Sequence, residues 1–162
     1  MSLIYLALGT NSGNKAVNLL RAMGFIAEKI GVFSAISSVY ETKPWGFESE
    51  NDFLNMAVCV ETQLHPDEIL SITQAIEKII GRTQKTNHTY QDRLIDIDLI
   101  AYDDLILQSD NLQLPHPLFH KRQFVLEPFN EIAPDFVHPV LHKTVNILFV
   151  ETWRATSLQS NQ

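Results

Sequence analysis

The chain has 162 residues, of which 45% are hydrophobic and 19% are charged, so length and composition predict one soluble globular domain with a real core. The formal net charge of −7 argues against nucleic acid as a general partner, because binding to a polyanion normally needs a basic face. The single cysteine, Cys59, excludes an internal disulfide and favours a reducing cytoplasm, and no apolar run approaches the roughly 20 residues of a membrane helix.

The chain opens with a predicted strand, turn and helix. Residues 3–8 are apolar throughout and predict a buried strand. Residues 9–14 are rich in glycine and asparagine, which suits a turn and the N-cap of a helix. Apolar residues then recur at helical spacing over residues 16–30, and Gly31 follows as the expected C′ residue at the helix end.

Two further strands are predicted on either side of a loop. Residues 32–40 are rich in β-branched and aromatic side chains, which predicts a second strand. Residues 41–52 contain proline, glycine and several acids and predict a loop. Residues 53–62 alternate well enough for a third strand, which places Phe53 and Asn55 on one face.

A second helix and a fourth strand follow. Residues 65–68 have the proline and the acids of a helix start, and an apolar stripe continues to Gly81, which ends the helix. Residues 82–92 are polar and without periodicity, so a mobile loop is expected there. The fourth strand runs over residues 93–102, and two aspartates at 103–104 make a turn.

The rest of the chain is rich in proline, which interrupts it too often for long helices. Short helices are predicted near residues 119–127 and 144–152. Residues 154–162 are expected to form a frayed tail, so that the single domain spans residues 1–153.

The order strand-helix-strand-strand-helix-strand is that of a ferredoxin-like split β-α-β unit, an α+β fold. It predicts an antiparallel sheet of four strands with two helices packed on one face, built from residues 1–102. The proline-rich C-terminal extension would then cap the sheet or its open end.

Two carboxylates stand out within the fourth predicted strand. Asp96 and Asp98 lie two residues apart in an otherwise aliphatic run, so the period of a strand puts both on one face. Two adjacent anions in an apolar setting repel each other and lose their water, and a divalent cation removes both problems. Oxygen ligands with no imidazole or thiolate nearby favour Mg²⁺ over zinc. The alternative is that both aspartates face water, or that Asp96 pairs with Arg93; the apolar flanks favour the metal.

Three arginines flank the loops around this pair of aspartates, namely Arg82, Arg93 and Arg122. Guanidinium groups suit phosphate oxygens because their donors form a planar fork. Ordinary surface ion pairing is the alternative for each arginine taken singly. Residues 9–14 lack the lysine and the spacing of a P-loop, so arginines and Mg²⁺ would have to hold a nucleotide.

Aromatic and polar side chains near the same loops suggest a site for a flat ring. Phe53 and Phe124 could stack against a heterocycle, with Asn55 offering its amide to the ring edge, although each aromatic taken singly is more often a core residue. His116 lies between two prolines and could point a donor at a ligand. Zinc is not predicted, because the histidine pairs of this chain lack an accompanying cysteine pair.

Several motifs occur together in a characteristic order. They are Tyr40-Glu41-Thr42-Lys43-Pro44-Trp45-Gly46, Phe53-Leu54-Asn55, Glu77 through Gly81-Arg82, Arg93 to Asp98, Leu114-Pro115-His116-Pro117, Arg122-Gln123-Phe124-Val125-Leu126 and Glu131-Ile132-Ala133-Pro134. With them the chain resembles the 6-hydroxymethyl-7,8-dihydropterin pyrophosphokinases of folate biosynthesis, from residue 3 to about residue 149.

The resemblance implies transfer of the β,γ-diphosphate of the co-substrate ATP to the hydroxymethyl group of the pterin, with release of AMP. It implies that Asp96 and Asp98 bind two Mg²⁺ ions and form the catalytic set with Arg82 and Arg93. The positions matched to ATP are Gln74, Glu77, Arg82, Arg93, Leu99, His116 and Arg122. The positions matched to the pterin are Thr42, Pro44, Trp45, Gly46, Phe53, Asn55, Tyr90 and Phe124. The loops 41–52 and 82–92 are expected to close over bound substrates.

The chain departs from the family pattern at three places. Gln84 stands where relatives often carry a second arginine, and Asn111 stands where some relatives have arginine. Gln91-Asp92-Arg93-Leu94 replaces the frequent Gly-Pro-Arg-Thr. Arg93 itself is kept, so the essential cation is present.

Two other functions stay open from the sequence. One is a Mg²⁺-dependent phosphotransferase with another flat acceptor, which as a simple kinase would release ADP. The other is a non-catalytic ligand- or RNA-binding module, a frequent use of ferredoxin-like sheets, against which the acidic balance and the paired aspartates argue. The expected partners are ATP and a reduced pterin, not nucleic acid or a membrane, and the expected state is a cytoplasmic monomer.

Overall fold

The computed structural model describes residues 1–43, 51–81 and 94–160. Its strands are β1 (Ser2–Thr10), β2 (Val32–Ile36), β3 (Tyr40–Thr42), β4 (Phe53–Thr62), β5 (Asp96–Tyr102), β6 (Leu107–Gln108) and β7 (Gln113–Leu114). Its helices are α1 (Lys15–Lys29), α2 (Pro66–Gly81), a 3₁₀ turn (Phe119–Lys121), α3 (Gln123–Ile132) and α4 (Val145–Ser160). Within these ranges no helix has both the length and the apolar character needed to cross a membrane.

The main sheet is antiparallel, with strand order β2-β4-β1-β5 and with β3 as a further partner of β4. The central strands β1 and β4 pair along their whole lengths, from Ser2–Thr62 to Thr10–Leu54. The sheet and its helices confirm the predicted α+β class. The predicted strand at 53–62 coincides with β4, and β5 ends at Tyr102 as expected, before a turn in which Asp103 has a φ of 47°.

Helix α1 begins and ends close to its predicted bounds, but glycine follows it for an unexpected reason. Asn14 is the N-cap and accepts a hydrogen bond from Val17 N–H at 3.2 Å. Gly31 follows the C-cap residue Ile30 without the positive φ of a left-handed C′ residue. A Cβ atom on Gly31 would lie 1.9 Å from the Glu61 carbonyl oxygen, so the close approach of β4 requires glycine.

The single strand predicted over residues 32–40 is wrong, because the structure has two strands there. The pairing of Ile36 with Val58 in β2 and of Tyr40 with Asn55 in β3 differs in register by one residue. Ser37, between the two strands, stays bonded to β4, since its N–H donates to the Ala57 carbonyl and its hydroxyl accepts from the Ala57 N–H. The residue after Ser37 instead forms hydrogen bonds with α3, a long-range contact that the local pattern does not contain.

The first face of the sheet is covered by α1 and α2. Its core includes Ile4, Leu6 and Leu8 of β1, with Ile26 of α1 and Ile76 of α2, all of them at most 1% exposed. These are the apolar stripes that the strand and helix periods predict.

The second face is covered by the C-terminal part of the chain. Phe119 and Phe129, at most 1% exposed, pack with Ile100 of β5 and with Leu148 of α4. Residues after β5 therefore supply the helices of this face, and the candidate site residues described below lie at one end of it.

The C-terminal helices differ from the prediction in length. The predicted helix near 119–127 is a 3₁₀ turn followed by α3, which contains Pro128. Helix α4 has 16 residues and continues to Ser160, so the frayed tail predicted from residue 154 is wrong over residues 154–160. No proline follows Pro139, and Thr144 caps α4 by accepting a hydrogen bond from Ile147 N–H.

Candidate active site

On the second face of the sheet, small residues of β1 and β4 separate two polar groups, and we call this part of the face the recess. In the register, Gly9 of β1 lies between Asn55 of β4 and Asp96 of β5. The next row on the same face has alanine on both β1 and β4, beside Asp98. Because neighbouring strands are about 4.8 Å apart, the backbones of Asn55 and Asp96 are roughly 10 Å apart across a floor of small residues. The separation of the two polar groups matches the width of a flat ring or of a short phosphate chain.

The two carboxylates form one side of the recess. Asp96 and Asp98 are half-buried on one face of β5, whereas Ile97 and Leu99 are 3% and 4% exposed in the core of the opposite face. Their oxygens are ligands that suit Mg²⁺. Among the residues that the structure describes, no group of three or more His, Cys, Asp and Glu side chains is placed to hold a metal by itself. A cation on this pair would therefore take further ligands from substrate and water.

Glu77 and His116 line the outer edge of β5. Glu77 on α2 accepts a hydrogen bond from Ile97 N–H, between the two aspartates, at 3.0 Å. The backbone N–H of His116 donates to the Ile100 carbonyl at 2.8 Å. Since β1 pairs with the other edge of β5, these two bonds fix the outer backbone of the strand on both sides of Asp98.

The His116 ring is held as a neutral donor. Its Nδ1 accepts a hydrogen bond from Leu118 N–H at 3.1 Å, which leaves the ring proton on Nε2. Burial lowers the pKa of His116 to about 4, and the positive charge of Arg122 adds to this effect. The ring therefore stays neutral near pH 7, with an Nε2–H that can donate to an anionic ligand.

Arg122 and Phe124 bring a cation and an aromatic ring to the start of α3. Arg122 is the N-cap residue, and its guanidinium carbon lies 5.8 Å from the centroid of the Phe124 ring. Phe124 is half-buried and packs against the core of the second face.

The other side of the recess carries Asn55, Thr42 and Phe53. Asn55 is 6% exposed, and its Nδ2 donates to the Thr42 hydroxyl. Thr42 and Phe53 are opposite each other on β3 and β4. A Cβ atom on Gly9 would lie 3.0 Å from Asn55 Oδ1 and 3.7 Å from Phe53 Cδ1, so both side chains extend over the glycine. Thr42 engages one of the two amide N–H donors of Asn55.

Two residues predicted near ATP lie away from the recess. Gln74 is exposed on α2, which packs on the first face, and the Leu99 side chain is buried in the core of that face. Leu99 can thus reach a ligand only through its backbone. The predicted site residues that lie outside the described residues are Pro44, Trp45, Gly46, Arg82, Tyr90 and Arg93.

Sequence reasoning missed the floor of the recess. Ala7 and Gly9 face Ala57 and Asn55 across the strands, on the side opposite to the core residue Leu8. The signal was the alternation of small with large residues along β1, since small residues on one face of a strand leave room for a ligand.

The sequence comparisons agree on one family. The model of the family described as 7,8-dihydro-6-hydroxymethylpterin-pyrophosphokinase (HPPK) matches residues 5–134. A 2-amino-4-hydroxy-6-hydroxymethyldihydropteridine pyrophosphokinase of Porphyromonas gingivalis is 44% identical over 141 residues, which cover 86% of this chain and 95% of that protein. The protein of the same name from Aquifex aeolicus is 38% identical over 143 residues, 88% of each chain. The Folic acid synthesis protein FOL1 of Dictyostelium discoideum is 40% identical over 147 residues, 90% of this chain but 22% of that protein.

A solved structure has the same fold. The crystal structure of Plasmodium falciparum HPPK-DHPS with pteroate aligns with a TM-score of 0.79 and 17% identity. The alignment covers 99% of this chain, which spans 46% of the length of that larger chain. Since the family model and the bacterial relatives cover most of the sequence, the chain belongs to the HPPK family and is an ATP-dependent pyrophosphokinase of folate biosynthesis.

Proposed function

We propose that the recess on the second face is the site of the pyrophosphokinase reaction, in which the diphosphate of ATP passes to the hydroxymethyl group of 6-hydroxymethyl-7,8-dihydropterin and AMP is released. The observation that carries this assignment is the register of β4, β1 and β5. It sets Asp96 and Asp98 on one side of a floor of small residues and Asn55 on the other. One group suits a charged phosphate site and the other suits the edge of a flat ring.

Asp96 and Asp98 would hold two Mg²⁺ ions on the phosphate side. Their half-buried carboxylates on one strand face support this role, because they provide oxygen ligands of the right charge. When bound, the ions neutralise charge on the triphosphate and lower the pKa of the attacking hydroxyl. The backbone between the aspartates is held by Glu77, which keeps both carboxylates directed at the same place.

The residues proposed to bind ATP lie along the outer edge of β5 and the start of α3. His116 would donate from Nε2 to a phosphate or ribose oxygen, and Arg122 would pair with phosphate. Leu99 would contribute backbone groups, because its N–H and C=O should point to the same edge as those of Ile97 two residues earlier. Phosphoryl transfer depends mainly on such positioning and charge stabilisation. The resemblance to the family also assigns Gln74, Glu77, Arg82 and Arg93 to ATP and catalysis. Of these, Gln74 is exposed on α2, away from the recess.

The pterin would lie on the Asn55 side of the recess. Phe53 and Phe124 would contact its two faces, and Asn55 would bind its polar edge while Thr42 holds the amide in place. A mostly buried amide discriminates between ligands, because its polar atoms have lost water and need matching hydrogen-bonding groups on the bound ring. The remaining residues assigned to the pterin are Pro44, Trp45, Gly46 and Tyr90.

Several features of the whole chain are proposed with this assignment. The strand order β2-β4-β1-β5 with α1 and α2 on one face supports a ferredoxin-like unit, to which the proline-rich C-terminal extension is added. We take residues 1–153 as one pyrophosphokinase domain, beyond which α4 continues to Ser160 as a mostly exposed helix end. The net charge of −7 supports the absence of a nucleic-acid partner, and the buried, free Cys59 supports a reducing cytoplasm. We propose with them a monomer that binds no membrane.

Product analysis tests the proposed reaction. Incubation of the protein with Mg²⁺, ATP and 6-hydroxymethyl-7,8-dihydropterin is expected to yield AMP and the pterin diphosphate in equal amounts. Chelation with EDTA should stop AMP formation, and added Mg²⁺ should restore it. Formation of ADP would indicate a simple kinase, and binding of both substrates without turnover would indicate a non-catalytic module.

The floor of the recess gives a second test. Gly9→Ala is expected to raise the KM for the pterin roughly three- to tenfold, the equivalent of one weakened hydrogen bond. The added methyl group would stand 3.0 Å from Asn55 Oδ1 and displace the amide, while the KM for ATP should hold. Steady-state kinetics with each substrate varied in turn measures the effect.

Gly24→Ala is the control for this change, because Gly24 is exposed in α1 and a Cβ atom there meets nothing within 4 Å. An unchanged pterin KM in Gly9→Ala would place the pterin elsewhere than over Gly9.

A further inference from the structure

The last turn of α3 carries a carboxylate with three hydrogen bonds. Glu131 Oε2 accepts from Ser38 N–H at 2.9 Å and from the Tyr40 hydroxyl at 2.7 Å, and Oε1 accepts from the Ser38 hydroxyl at 2.7 Å. The bonds from Ser38 and Tyr40 lower the pKa of Glu131, and the bond to Glu131 raises the pKa of Tyr40 to about 12. At neutral pH the carboxylate is therefore charged and the phenol is a donor.

These bonds join two elements that both carry residues of the proposed pterin site. Helix α3 carries Phe124 near its beginning and Glu131 near its end. Strand β3 begins at Tyr40 and ends at Thr42, whose hydroxyl accepts the hydrogen bond from Asn55. Glu131 thus connects the aromatic wall of the proposed pterin pocket to the strand that orients its amide.

Strand β3 depends on this connection because it has few other constraints. It has three residues and, within the described ranges, pairs with β4 alone. Ser38 belongs to the register of neither β2 nor β3, so its N–H is satisfied by Glu131 rather than by the sheet. The start of β3 is held at the position of the register shift by α3.

We infer that Glu131 is a positioning residue. It sets the distance between Phe124 of α3 and the hydrogen-bonded pair of Thr42 and Asn55, and thereby the affinity for the pterin. This inference rests on the proposed location of the pterin between Phe53 and Phe124. The carboxylate acts through Tyr40 and Ser38 and touches no substrate.

A positioning role and a purely structural role predict different results. Glu131 is exposed, so water can replace a lost partner and the stability of the fold should change little. The start of β3 would be held less firmly against α3, however, and part of the binding free energy of the pterin would go into ordering the pocket. The expected effect is therefore on pterin binding rather than on the melting temperature.

Glu131→Gln keeps the shape of the side chain but replaces one acceptor oxygen by an NH₂ donor, which cannot accept the protons of Ser38 and Tyr40. We expect the KM for the pterin to rise about three- to tenfold, with the KM for ATP, kcat and Tm nearly unchanged. Tyr40→Phe should raise the pterin KM less, and the double variant should be no worse than Glu131→Gln alone, because both changes break the same contact.

The matched control is Glu151→Gln. Glu151 is another exposed carboxylate near the C-terminal part of the fold, and it bonds to Lys143 Nζ at 3.0 Å. The same loss of charge there should leave the KM values for both substrates at their wild-type level.

Phe124→Ala separates the inference from the assignment on which it rests. A higher pterin KM in Phe124→Ala with an unchanged one in Glu131→Gln would overturn the role of Glu131 and leave the pocket in place. An unchanged pterin KM in Phe124→Ala would overturn the pocket and the inference together. Equal losses of pterin and ATP affinity with a lower Tm in Glu131→Gln would make Glu131 a structural residue only, and would also overturn the inference.

Discussion

Asp98→Asn is expected to lower kcat about a hundred- to a thousandfold while the protein still folds. Asparagine keeps the shape of the side chain and removes the charge that would hold Mg²⁺ against the triphosphate. Asp98 is half-buried on the same face of β5 as Asp96, so the substitution also removes the repulsion between two like charges, and the protein should still fold. Kinetics at saturating Mg²⁺, ATP and pterin measure the loss, and thermal unfolding checks the fold.

Asp104→Asn is the control for this substitution. Asp104 is exposed in the turn that follows β5, so the same chemical change near the other end of the strand leaves the recess intact. Its kcat should stay within about twofold of the wild-type value, as for most surface substitutions. Normal turnover by Asp98→Asn would exclude Asp98 as a metal ligand. A large fall of Tm in that variant would trace its inactivity to the fold.

Elements with a local apolar period could be predicted from the sequence. Strand β4 and helix α2 coincide with their predictions. The alternation of apolar residues such as Val58 and Val60 is enough to predict the strand, and the apolar stripe from Ile69 to Ile80 is enough to predict the helix. The division between β2 and β3 could not be predicted. It depends on a carboxylate that lies 93 residues beyond Ser38 in the chain.

The end of the chain illustrates a different failure. The polar residues after Trp153 suggest a frayed tail, but the hydroxyls of Thr156 and Ser157 bond to the carbonyls of Thr152 and Trp153 within α4. Ser and Thr can satisfy themselves in this way on the exposed side of a helix. A polar composition therefore identified exposure correctly and secondary structure incorrectly.

The chemistry of the candidate site was visible where a residue was out of place. Asp96 and Asp98 are unusual in an aliphatic strand, so the sequence alone indicates a chemical role for them. Gly9 lets the Asn55 and Phe53 side chains extend over β1, and Glu131 forms a long-range contact with Ser38. Neither property exists until the strands are in register. Position in the fold, rather than residue type, gives both of them a role.

Gly31→Ala is expected to reduce the free energy of unfolding by about 3 kcal/mol, the upper range for steric overpacking. The new Cβ atom would lie 1.9 Å from the Glu61 carbonyl oxygen and 2.9 Å from the Glu61 carbonyl carbon. Both are backbone atoms of β4, so no side chain can rotate away, and the connection from α1 to β2 must move off the sheet. For a domain of this size Tm should fall by roughly 10 °C, which thermal or denaturant unfolding would measure.

Gly24→Ala gives the opposite expectation for the same added methyl group. Gly24 lies in the exposed part of α1 with nothing within 4 Å of the new atom, so the change should stabilise the protein by about 0.5–1 kcal/mol through helix propensity. The opposite signs would separate the contact at Gly31 from any general effect of alanine. Equal Tm values for Gly31→Ala and wild type would mean that β4 does not approach Gly31 so closely, and that a flexible helix end, rather than packing, selects glycine there.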